Sequence, residues 1–459
     1  MNLPRLIAAL LLPLAGALAA AQGAPSGPLG APGGPAPTAP QSHAAAHAQV
    51  AALLAALAGH PALVAADALA EAAARRADAV RAPIALSGQV DLRRLQVEPA
   101  TGEGSDAFSF RLVLRPFLFG DLADLGDQRR IEAERADLQA REARTGLESQ
   151  AVQAALGVWL AELAVGLAEE GLALAELAET GARRRAEAGG ASTVDVGRAE
   201  LARREATAAL TDARRQHDLA IARSASLVGD GRLDGPFDLL PVVGTIPDVV
   251  RATLDLALAD VGTRNADRAL LPTVQGGYTR LLDDGASLTV GLESRTLQPA
   301  VSYASGGAGG GASGGLAGLA PGGTAPTVRG VFNVSVAWSF SPQAYLEADA
   351  LRLQRTAADA GLAAAVDRGN LTQQALEAAL LTSAARVELA AFELELTTLE
   401  RDAAAARYAV GAASELERLQ AHLQWRQAVL GHARARSERL SAVLDTYTAY
   451  AVPLSEVMP

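Results

Sequence analysis

Apolar residues in this chain follow two periods, and each period occurs twice. From Pro83 the pattern alternates: Ile84, Leu86, Val90 and Leu92 face one way, and Ser87, Gln89, Asp91 and Arg93 the other. After a polar loop around Gly102 and Gly104, alternation resumes in Phe108, Phe110, Leu112 and Leu114 against Ser109, Arg111 and Arg115. A period of two predicts strands with one apolar and one polar face. Two strands of about ten residues each are long enough to cross a bilayer. From Asp121 the period lengthens. Leu156, Leu160, Leu163, Leu167 and Leu174 recur at heptad spacing, which predicts a long helix packed lengthwise on partners. That helix is expected to end at Gly189-Gly190, and Ser192 is placed to cap a second helix running to about Leu227.

The same succession then returns. A helix is expected over about 248–267. A strand pattern follows at Val274, Gly276 and Tyr278, with further alternation at Leu288, Val290 and Leu292 that extends or duplicates it. A Gly-rich loop occupies 304–326, and another strand alternates Phe332, Val334, Val336, Trp338 and Phe340 with Asn333, Ser335 and Ser339. Pro342 opens a second long helix, and a last one ends near Ala451. The turn Arg185–Leu201 is matched by Arg407–Leu423 at one offset of 222 residues: Arg185/Arg407, Gly189/Gly411, Ser192/Ser414, Ala199/Ala421 and Leu201/Leu423. The strands keep that offset, with Phe110 meeting Phe332 and Leu112 meeting Val334. The chain therefore reads as an internal tandem repeat, 43–228 and 248–451, joined by a turn-rich linker at 229–247 and followed by a short tail at 452–459. The expected fold is mostly α with β, built of long helical hairpins and two β-hairpins.

The N-terminus reads as an export signal over 1–21. Arg5 precedes an apolar stretch from Leu6 to Leu18, and Ala19-Ala20-Ala21 offers a cleavage site. A flexible Pro/Gly/Ala-rich leader over 22–42 comes next, and Ser42 is a plausible cap for the first short helix. Gly59-His60-Pro61 divides the helical run that follows. Past the signal, no stretch reads as both long and apolar enough to span a bilayer as a helix. A membrane-embedded mature chain would then have to enter as a closed β-barrel.

Composition narrows the chemistry. Half of the residues are apolar, mostly Ala and Leu, but only 4% are aromatic, which suits close-packed long helices. A net charge of −11 argues against binding nucleic acid through phosphates. There is no cysteine, which excludes disulfides, thiolate metal sites and a lipidated N-terminal Cys. His217, His422 and His432 lack ligand spacing, and Asp230, Asp234 and Asp238 lack the pattern of a calcium loop, so no metal is expected. The GxGxxG spelling at Gly309, Gly311 and Gly314 has neither the preceding strand nor the following helix of a nucleotide site. With no nucleophile elbow, P-loop or catalytic carboxylate pair, neither an enzyme nor a cofactor is expected.

Four bilayer-length strands cannot close a barrel alone, so oligomerisation is required if they are transmembrane. The paired Arg-x-x-x-Gly-x-x-Ser-x-x-(Asp/Glu) turns, in register with the strands and with the order of elements, resemble the TolC family of outer-membrane efflux and secretion channels. The likeness covers about 45–451 and includes the junction Arg115-Pro-Phe-Leu-Phe-Gly. It implies a homotrimer whose chains each give four strands to a twelve-stranded barrel in outer-membrane lipid. A helical barrel would project into the periplasm, tipped by the two turns. It also implies a periplasmic adaptor docking at the turns (Arg185, Gly189, Ser192, Arg407, Gly411, Ser414) and an inner-membrane transporter as energy source. By register, Asp195 and Tyr408 match positions that link neighbouring helices in the closed pore. Glu417 and Gln420 match two acidic positions ringing the constriction, of which only Glu417 is acidic here. The residues alone leave another reading for both carboxylates, as helix N-terminal groups complementing the macrodipole. At the level of the whole chain, a structural coiled-coil protein tethering envelope layers accounts for the heptads but not for the strands in register. A periplasmic adaptor would have one helical hairpin rather than two.

Overall fold

The computed structural model describes residues 43–93, 105–115, 118–229, 231–282, 286–305, 329–338 and 341–458. The expected signal at 1–21, the leader at 22–42, the Ser42 cap and most of the Gly-rich loop lie outside the described residues.

The helices follow the sequence pattern closely. Two short helices, α1 (His43–Leu57) and α2 (Pro61–Val80), bend by 68° at the Gly59-His60-Pro61 break. Pro61 occupies the first turn of α2, and the His60 Nδ1 accepts from the Ala62 amide at 3.3 Å. The long α3 (Asp121–Glu187) and the shorter α4 (Thr193–Val228) form one hairpin. After α5 (Pro247–Ala269), α6 (Pro342–Ala409) and α7 (Glu415–Tyr450) form the second. At 1.5 Å per residue, α3 and α6 each extend on the order of 100 Å, and α4 and α7 about half that. The shorter pair therefore flanks only the far halves of the long helices. The near halves are flanked by α2 and α5 instead. Element contacts give the order α4–α3–α7–α6 around the far half and α2–α3–α5–α6 around the near half.

The main core sits where those halves meet. Val50, Leu53 and Leu57 of α1 pack on Ala151, Val152, Ala155 and Leu156, near the middle of α3, and on Leu440, Leu444 and Tyr447 of α7. The segment between the repeats contributes to this core, burying Leu233 and Phe237, while the Tyr447 hydroxyl donates to the Leu240 carbonyl at 3.0 Å. The residues after α7 are packed too. A short α8 (Leu454–Val457) is held by the buried Glu148, which accepts from the Leu454 amide at 2.6 Å and the Ser455 hydroxyl at 2.8 Å. One expectation needs correcting here, because α3 does contain an 18-residue window with a mean hydropathy of 1.7. Its length and its Ala/Leu content account for this, and part of its apolar surface is the face that builds the core.

The strands differ from the four that the pattern predicts. Among the described residues the sheet has six: β1 (Ile84–Arg93), β2 (Ser105–Leu114), β3 (Thr273–Leu281), β4 (Ser287–Glu293), β5 (Pro299–Ser305) and β6 (Gly330–Ala337). They are antiparallel in the order β1-β2-β5-β4-β3-β6, and the sheet is open at β1 and β6. The alternation at 288–292 is not an extension of β3, since Leu282 donates to the Ala286 carbonyl at 2.8 Å and the chain reverses there. β5 carries Ala300, Ser302 and Ala304 on the face that is polar in its neighbours, so the contrast with Val301 and Tyr303 is weak in the sequence.

Candidate functional site

Both helical hairpins end in the same turn, built bond for bond. At the first, Gly189 takes φ +76° and donates to the Ala186 carbonyl at 3.0 Å, while the Gly190 amide returns to Arg185 at 2.7 Å. At the second, Gly411 takes φ +73° and donates to Tyr408 at 3.0 Å, and Ala412 returns to Arg407 at 2.8 Å. A side chain in this left-handed region is strained, so glycine is the residue that lets a long helix stop and reverse here.

Each turn then starts its second helix with a capping box. The Ser192 hydroxyl accepts from the Asp195 amide at 3.2 Å, and the Asp195 carboxylate accepts from the Ser192 amide at 3.0 Å and hydroxyl at 2.8 Å. Ser414 and Glu417 reproduce this, with 3.2 Å from the Glu417 amide and 3.0 Å from the Ser414 amide. Each box gives two amides at the start of its helix a side-chain acceptor. The Ser192 bonds, from its amide first and its hydroxyl second, hold the Asp195 carboxyl below the usual carboxylate range, and Arg198 and Arg185 add to this. Asp195 and Glu417 thus stand at equivalent places in the repeat and both serve as caps. All the candidate tip residues are exposed: Arg185, Gly189, Ser192, Asp195, Arg407, Tyr408, Gly411, Ser414, Glu417 and Gln420. Tyr408 lies under the Arg418 guanidinium, 5.2 Å from the ring centre. Among the described residues no hydrogen bond or ion pair joins 185–201 to 407–423.

A link between the two hairpins lies further from the tip, and of its residues the sequence pattern singled out only His422. Glu170 of α3 pairs with Arg426 of α7 at 3.0 Å and faces His422 at 3.6 Å. Beside them Arg401 of α6 stacks on Trp425 at 4.4 Å. Glu179, 8% exposed, ties α3 to α4 through Arg203 at 2.7 Å. Single charges on Ala-rich helices look like a solvated face in the sequence. Only the heptad phase of α3 could have shown which of them point at a neighbouring helix.

At the opposite end, the sheet separates its two faces in unbroken rows. One row across all six strands is Leu86, Leu112, Val301, Val290, Tyr278 and Phe332. The adjacent row on the other face is Ser87, Arg111, Ser302, Thr289, Thr279 and Val331. Leu86 and Phe332 are each 72% exposed, so among the described residues nothing covers the apolar face at either edge of the sheet. One face of the sheet is apolar and the other polar, the division that a membrane-spanning barrel wall requires.

The fold is that of the outer-membrane channels of the TolC type. No protein-family model matches the sequence, and no curated protein does. Among solved structures, the Campylobacter jejuni CmeC outer membrane channel superposes with a TM-score of 0.61 at 14% identity, covering 88% of this chain and 85% of that one. The open state of the Neisseria gonorrhoeae MtrE outer membrane channel gives 0.59 at 17% identity, with 89% of each chain covered. The outer membrane protein VceC of Vibrio cholerae gives 0.57 at 18% identity, over 88% of this chain and 96% of that one.

Proposed function

We propose that this protein is the passive exit duct of an efflux or secretion assembly. It would form a homotrimer embedded by its sheet in the outer membrane, with its helices in the periplasm. The observation that carries this reading is that every layer of the chain is left open at both edges. The sheet ends in β1 and β6. The far helical layer ends in α4 and α6, which expose Leu201, Leu219, Leu389, Phe392, Leu396 and Leu399. The last four recur at spacings of three and four, a seam that fits a partner helix. Open strand edges are not tolerated in lipid, and repeated contact between unlike edges closes into a ring.

In such a ring the two glycine turns of each copy meet those of its neighbours at the periplasmic end. Asp195 and Glu417 then bring several carboxylates around one mouth, a field that favours cations. Tyr408 and Gln420 line the same mouth and complete the gate. Arg185, Gly189, Ser192, Arg407, Gly411 and Ser414 shape the surface on which a periplasmic adaptor docks. The energy comes from an inner-membrane transporter, since the chain itself supplies only a conduit. Fractionation and mass measurement test the assembly. The duct reading expects an SDS-resistant trimer in the outer-membrane fraction that dissociates on heating, and a monomer in the soluble periplasmic fraction would overturn it.

A further inference from the structure

Resting on the duct reading, we propose that the β4–β5 hairpin is part of the transmembrane wall. Three copies then close an eighteen-stranded barrel in which β1 of each copy pairs with β6 of the next. The hairpin cannot be an ornament of a four-stranded sheet, because it lies inside the order, between β2 and β3. Its faces keep the parity of the wall on both sides. Val290 and Val301 continue the apolar row from Leu112 to Tyr278, and Thr289 and Ser302 continue the polar row from Arg111 to Thr279. An insertion lying outside the membrane has no reason to preserve that alternation through three consecutive strand pairings.

The turn at the base of the hairpin is also built into the junction between sheet and helices. Arg295 of this turn takes the Asp121 amide on its carbonyl at 3.3 Å, at the first residue of α3. Its guanidinium reaches the Ala269 carbonyl of α5 at 3.4 Å and the Asp121 carboxylate at 3.9 Å. Asp121 also accepts from Arg268 at 3.1 Å, and the buried Asp124 accepts from Arg268 at 2.6 Å and from Arg264 at 3.1 Å. Gly120, at φ +59°, is what allows this approach, since a Cβ there would stand on the Arg295 carbonyl. On the other side, the Ser294 amide donates to Val274 at 2.8 Å. The turn is therefore pinned to both repeats at the height where the strands begin.

The consequence is a wider outlet. With strands about 4.8 Å apart and tilted by about 40°, twelve strands enclose a barrel roughly 24 Å across and eighteen one of roughly 36 Å. The lumen side of the added hairpin carries Ser287, Thr289, Gly291, Ala300, Ser302 and Ala304, small residues that leave that width open, with Glu293 at its base. This fits a cargo bulkier than a single small molecule.

The chain has no native cysteine, so engineered pairs report adjacency directly. Residues directly opposite in antiparallel strands are within disulfide reach, whereas Arg111 and Thr279, three strand spacings apart, would stand about 14 Å from each other. In the full-length trimer, oxidised R111C/S302C is expected to form an intrachain disulfide and R111C/T279C none, and cryo-electron microscopy of the same particles is expected to show eighteen strands. An R111C/T279C disulfide, or twelve strands around the wall, would overturn the proposal while leaving the duct reading intact. Absence of a trimer from the unsubstituted chain would overturn the duct reading instead.

Discussion

At the residue scale, the two turns show how few side chains set the end of a helical hairpin about 100 Å long. Glycine supplies the left-handed step, and serine with a carboxylate three residues on restarts the helix. Ser192→Ala or Ser414→Ala removes one side-chain cap and is expected to lower stability by about 1 kcal/mol each. Because the boxes are on different helices with no bond between them, the two effects should add in a denaturant titration of the double variant. Asp195 gives the cap a pH dependence. Its folded pKa lies below its unfolded one, so its contribution is present above the ordinary carboxylate range and is lost as pH falls through the folded value. The difference in thermal midpoint between the wild type and Asp195→Ala is thus expected to be constant near neutrality and to shrink below pH of about 3.9. His432 acts in the same sense at higher pH. Burial, and secondarily Arg436, keep its imidazole below its usual pKa, so stability associated with it is complete above that value and falls as the solution is acidified through it. His432→Gln should flatten the stability profile between pH of about 7 and 5.

At the scale of elements, the period of the apolar residues made most of the fold legible. Both long helices, the Pro61 start of α2 and the strands β1, β2, β3 and β6 follow from it, because each has one face to bury and one to leave in water or lipid. The exceptions have physical causes. β5 was missed because Ala300, Ser302 and Ala304 blur its alternation, and β4 could be read as part of β3 until the reversal at Leu282 and Ala286 was seen. In the candidate site, the capping residues were legible because capping is local in sequence. The Glu170, Arg426 and His422 cluster was not, because it depends on the phase between two helices that lie 250 residues apart in the chain. The chain's end gives an element-scale prediction. Glu148→Ala would leave the buried Leu454 amide without its partner, at a cost of about 1–3 kcal/mol. Hydrogen exchange should then quicken first in α8 and at the end of α7, and protection in the turns at Gly189 and Gly411 should be unchanged.

At the scale of the whole molecule, a single chain is an unfinished object. Its sheet has a bare apolar face and two free edges, and its helical layers carry apolar residues on the outer sides of α4 and α6. These features satisfy one another when copies stand side by side around a closed ring, with lipid against the apolar rows and water against the polar ones. The measurement that tests this most directly is single-channel recording of the purified full-length protein in planar lipid bilayers. The duct account predicts discrete, cation-favouring conductance steps, with larger and less selective steps when Asp195 and Tyr408 are both replaced by alanine. Reconstituted protein that leaves the bilayer non-conducting in both forms would contradict it.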